Sequence, residues 1–215
     1  MIQAEIEADA ATHHLTVFGG FQAAPGDDLP AGCQTVLLLG PAEPGFWPHV
    51  TAEPEFGGAA NPLDRWSRRV IGQMAIDLGA TALFPFGGPP YRPFYQWALR
   101  TGRAFASPIS LLVHDSAGLM LSYRGALALP VRLALPPPAG NPCDTCAQKP
   151  CLTACSARAL TAKGYDVPRC HAFLETPAGG ECMNLGCAVR RACPVSQRYA
   201  RLPEQSAYHM RQFHT

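Results

Sequence analysis

Eight of the nine cysteines in this 215-residue chain lie between Cys143 and Cys193. Thiols at that density are used up by disulfides, by zinc or by iron–sulfur clusters, and the choice decides how the last third of the chain folds. Disulfides need an oxidising compartment. The N-terminal MIQAEIEADAATHHL has neither a basic n-region nor an apolar h-region. No window approaches the run of about 18 apolar residues that spans a membrane. The expectation is a cytoplasmic protein with reduced thiols and no membrane partner.

Clustered thiolates are soft ligands, which select zinc or iron–sulfur clusters over the hard cations. Structural zinc sites use two short cysteine pairs separated by a longer loop. Here Cys143, Cys146, Cys151 and Cys155 follow one another as C-x2-C, C-x4-C and C-x3-C. That succession is close to the bacterial cluster-binding run, whose fourth cysteine ligates the other of two clusters. Cys170, Cys182, Cys187 and Cys193 supply the remaining thiols, and Cys193 is followed by Pro194. Two zinc ions would also consume eight thiols, so the count leaves both metals open. The serial spacing and the terminal Cys-Pro step favour clusters. Cys33 stands apart and reads as a small apolar residue beside a buried strand.

The segment LPPPAGNP (135–142) interrupts any regular pattern and is the natural boundary. Residues 1–135 are expected to form an α/β (α+β) domain with a mixed sheet, and residues 136–215 a cysteine-rich module. TVLLLGP (35–41) and ATALFPF (80–86) read as buried strands. Asn61-Pro62 reads as an N-cap and first helical turn. Leu63, Trp66, Val70, Met74 and Leu78 follow at helical spacing up to Gly79. A short helix is expected before Gly102. ISLLVHDSAGLMLSYRGALALP (109–130) reads as a hairpin turning at Asp115–Gly118. The formal net charge is only +1, with 15% charged residues, so nucleic acid is not an expected partner.

The order C-x2-C…C-x3-C, then DVPRC, then a cysteine pair and a Cys-Pro resembles the dicluster module of the epoxyqueuosine reductase family and related bacterial-type ferredoxins. The resemblance implies that Cys143, Cys146, Cys151 and Cys193 hold one 4Fe–4S cluster and that Cys155, Cys170, Cys182 and Cys187 hold a second. It departs from the family pattern in the four-residue gap before Cys151, in Ser156 after Cys155 and in longer final gaps; none removes a ligand. SPISLLVHDSAGLMLSYRGALALP (107–130) more faintly resembles the CblC-type cobalamin-processing proteins, of the flavin-reductase-like group, at His114, Gly118, Tyr123, Arg124 and Gly125. This implies a cobalamin or flavin cofactor near His114, Tyr123 and Arg124, reduced through the clusters. The catalytic-aspartate motif of epoxyqueuosine reductase has no counterpart, and its helical-repeat extension is missing before Thr215, so that activity is not expected. The expected function is iron–sulfur electron transfer, as an oxidoreductase or the redox partner of another protein. The alternative is a zinc-stapled interaction module.

Other features carry two readings each. His114 could equally be tied to its own turn, and Arg124 to a carboxylate. The aromatics of FPFGGPPYRPFYQW (84–97) could wall a flat cofactor or complete a core. Gly87-Gly88 lacks the spacing of a nucleotide fingerprint. His13-His14 read as surface. The C-terminal stretch from Arg190 has five arginines against one glutamate; it suits either an acidic redox partner or plain solvation.

Overall fold

A computed structural model describes residues 3–214. In chain order the elements are α1 (Gln3–Thr12), β1 (Leu15–Gln22), β2 (Thr35–Pro41), α2 (Phe46–Thr51), α3 (Pro62–Asp77), β3 (Thr81–Leu83) and α4 (Phe94–Arg100). Then come β4 (Ala104–Ala106), β5 (Leu112–His114), β6 (Gly125–Leu129), β7 (Leu160–Thr161) and β8 (Gly164–Tyr165). The helices α5 (Val167–Leu174), α6 (Gly180–Leu185), α7 (Ala188–Ala192), α8 (Pro194–Arg198) and α9 (Pro203–Phe213) complete the chain. Among the described residues no helix is long and apolar enough to cross a membrane. The class is α+β with antiparallel sheets. The chain divides into two compact units: one runs through Arg103 and resumes over Ser122–Pro138, the other takes Ala104–Leu121 and everything from Ala139.

The first unit is built on a four-stranded sheet in the order β1-β2-β6-β3. β2 is buried along its whole length, as its continuous Val-Leu-Leu-Leu run requires. α3 presents Leu63, Trp66, Val70, Ile71 and Met74 as its buried stripe and ends at Leu78-Gly79, with Gly79 at φ 60°. Asn61 precedes the helix as expected but does not cap it with its side chain. It sits in the left-handed region at φ 54°, and its carbonyl accepts from Asp64 N and Arg65 N.

Two expectations need correction. The sheet is not mixed: β2 and β3 run the same way, but β6 enters between them and is antiparallel to both. The 109–130 segment does turn at Asp115–Gly118, where His114 and Gly118 exchange both main-chain bonds, but its two strands do not pair with each other. β6 pairs with β2 and β3, whereas β5 pairs with β4, Ala104 opposite His114. The two apolar runs therefore belong to different units, and the boundary differs from the expected one at residue 135. Ala104–Leu121 joins the cysteine-rich unit.

Several bonds explain that allegiance. Leu119 N donates to Ser196 Oγ at 2.8 Å, Arg190 donates to Leu119 O at 2.5 Å and Arg201 donates to Met120 O at 2.7 Å. Gly118, at φ 57°, has no room for a side chain against Ser196. Ile109, Val113 and Leu119 share one apolar cluster with Leu160, Val189, Cys151 and Cys193. Pattern alone could not reveal these partners, because both runs are apolar enough to pair with any strand.

Candidate metal centre

The eight clustered cysteines all lie in the second unit, as free thiols. Asn141 opens the first stretch: its Oδ1 accepts from Cys143 N at 3.0 Å, which bends the chain as it leaves the proline run. Cys151 sits in the tight turn Pro150–Leu152, entered through left-handed Lys149. Cys155 begins another turn, where Arg158 N bonds its carbonyl at 2.9 Å and Ala159 N its sulfur at 3.3 Å. DVPRC is a helix start: Asp166 caps α5 by accepting from Arg169 N at 3.0 Å, Pro168 occupies the first turn, and Cys170 follows on that turn. Cys182 lies in α6. Gly186, at φ 88° and closed off by Ser206, turns the chain so that Cys187 heads α7. Cys193 separates α7 from α8 with ψ 123°, the extended conformation forced on a residue before proline, and Pro194 begins α8.

Tertiary structure sorts these thiols into two groups of four. Burial raises the Cys143 thiol above its ordinary pKa, and the thiols acting on it next are Cys151, Cys193 and Cys146, opposed by Lys149. Cys151 is likewise raised by burial and then by Cys193 and Cys146. All four line one cavity of about 490 Å³. The other group centres on Cys170. Burial raises its pKa most, the Tyr165 hydroxyl bonded to its sulfur lowers it, and Cys187, Cys155 and Cys182 raise it again. Cys182 is raised by burial, with an opposing bond from Ala188 N. The first group takes Cys193 from the far end of the run, and the second takes Cys155 from within the opening stretch.

The donor sets suit four-iron clusters, which are held by four thiolates. Four thiolates also suit a single zinc ion, held by sulfurs about 2.3 Å from the metal, so the donor sets leave both metals open. Among the described residues no group of three or more His, Cys, Asp or Glu side chains is already gathered as a single-ion site.

His114, Tyr123 and Arg124 are not brought together in one unit. His114, in the second, is fully buried and tied to its own turn, with Nδ1 2.9 Å from Asp115 Oδ1 and 3.0 Å from Ser116 Oγ. Tyr123 and Arg124, in the first, lie among aromatics. The Tyr123 ring is 6.2 Å from Phe18 and 6.1 Å from Phe94, and Arg124 lies over Phe86 and bonds Asp64 at 3.2 Å. Two residues that sequence reasoning passed over belong to the thiol sites: Tyr165, bonded to Cys170, and Ser107, which lines the first cavity. Ser107 opens the 107–130 segment and Tyr165 precedes DVPRC, yet nothing in either stretch marks them as neighbours of thiols; the fold puts them there. Set against protein-family models, curated proteins and solved structures, the chain matches none.

Proposed function

We propose that this chain is an iron–sulfur electron-transfer protein whose second unit is a ferredoxin-type dicluster module. Cys143, Cys146, Cys151 and Cys193 would hold one 4Fe–4S cluster, and Cys155, Cys170, Cys182 and Cys187 the other. The observation that carries the reading is the sorting of eight thiols into two interlaced groups of four, a pattern with no purpose in a chain of ordinary core cysteines. When bound, such clusters supply one-electron steps. The chain's own part is to exclude water and steady negative charge. Cys151 and Cys193 are buried against Ile109, Val113 and Leu119. Ala159 N, Ala188 N and the Tyr165 hydroxyl donate to thiol sulfurs of the second group. The exposed residues Gln148 and Lys149 border the first site and offer a redox partner protein its approach.

Anaerobic purification with metal and acid-labile sulfide analysis tests this. The expected protein is brown and carries iron and sulfide in equal amounts, enough for two four-iron clusters. A colourless protein containing zinc would overturn the reading in favour of a stapled interaction module. Cys193→Ala should remove one cluster and spare the other. If all iron is retained, Cys193 is not a ligand and the assignment is wrong. Truncation after Glu175 separates interlaced from consecutive sites: it should abolish both clusters, and a truncated protein that still assembles one cluster from Cys143, Cys146, Cys151 and Cys155 would refute the interlacing.

For the first unit the reading extends to a corrinoid or flavin acceptor, a CblC-like role resting on Tyr123 and Arg124. Titration with cobalamin and with flavin, followed by absorbance, is the measurement. Arg124→Ala should weaken whichever binds and leave the iron content unchanged. Binding of neither leaves the first unit a scaffold.

A further inference from the structure

Ser107 lies in the turn that leads into β5. Both of its main-chain groups are used there: its N–H donates to Leu111 O and its carbonyl accepts from Ser110 N, each at 2.9 Å. The residue is 7% exposed. Its hydroxyl is buried and has no hydrogen-bond partner among the described residues. Ser107 lines the same cavity as Cys143, Cys146, Cys151 and Cys193. The turn that carries it is fixed by Ile109 and Val113, which pack with Cys151 and Cys193. A buried hydroxyl is rarely left without an acceptor. Here a buried hydroxyl without a partner belongs to a residue that lines a cavity whose proposed occupant is rich in sulfur acceptors.

We infer that Ser107 donates a hydrogen bond to a sulfur of the cluster held by Cys143, Cys146, Cys151 and Cys193, and so raises that cluster's reduction potential. The inference rests on the dicluster reading. A hydrogen bond to sulfur is stronger when the cluster carries the extra electron, because the charge is then more negative on sulfur. The donor therefore favours the reduced state. Ser107 contacts no substrate in this role; it is a positioning and tuning residue for one cluster of the two.

The test is a potentiometric titration of the whole protein followed by electron paramagnetic resonance, on wild type and Ser107→Ala. The expected result is a downward shift of one of two reduction steps, with the other step and the iron content unchanged. Ser107→Thr and Ser107→Val differ only in hydroxyl against methyl, and the shift should appear in the valine protein alone. Should the alanine protein fail to assemble, this pair makes the same comparison. In deuterated solvent, wild type should also lose a proton coupling that the valine variant lacks from the start. Two clusters with identical potentials and couplings in the threonine and valine proteins would overturn the inference and leave the dicluster reading standing. Wild type without iron and sulfide would overturn both.

Discussion

The two units are held together by different means. In the first, Val36, Leu37, Leu38 and Leu39 of β2 and Leu127 and Leu129 of β6 are wholly buried, and α3 covers the sheet with a full apolar stripe. In the second, the strands β7 and β8 have two residues each, and α6, α7 and α8 have six, five and five. Helices that short are not stable by themselves. Its apolar cluster includes Cys151 and Cys193 among the buried members. The first unit buries carbon; the second also buries thiols. One unit thus rests on a full carbon core, and the other on short elements packed around a cluster of carbon and thiols.

The strongest way to break that contrast is to remove the metal. On the dicluster proposal, anaerobic chelation should open the second unit, because metal binding and folding would then be coupled. Hydrogen exchange should rise across residues 143–193 and in β4 and β5, while the amides of β2 and β6 stay protected. Equal loss of protection in both units would show that they do not differ in this way. A core truncation is the converse test. Leu38→Ala should cost about 2–5 kcal/mol in the first unit, read as a lower denaturation midpoint in a protein whose iron content is unchanged. Loss of iron in that variant would tie the units together.

The smallest effect lies in acid. Arg69 grips Glu55 through Nε at 2.6 Å and Nη2 at 3.1 Å, and this pairing holds the Glu55 carboxyl below its ordinary pKa against the opposing effect of burial. The unfolded chain takes up that proton first as pH falls. The contribution is therefore full above the ordinary carboxylate range and is lost as pH drops through the folded-state value. Glu55→Gln should flatten the acid limb of the first unit's stability by about 0.2–1 kcal/mol, because Arg69 is half open to solvent and the pair is screened on that side. A larger flattening in the second unit's transition would place the effect elsewhere.

What the sequence determined by itself was whatever depends on near neighbours. The β2 strand follows from an unbroken apolar run, and α3 from its spacing between Pro62 and Gly79. The start of α5 follows from Asp166 and Pro168, and the extended Cys193 from the proline after it. The crowding of eight thiols in the last third was legible in the same way. Tertiary structure alone decided where β5 and β6 go, because two apolar runs joined by a turn can pair with each other or with strands far away. The choice fell to bonds that no local pattern encodes, such as Leu119 to Ser196. The same applies to Tyr165 and Ser107, ordinary residues that acquire their place beside the thiols only when distant segments pack.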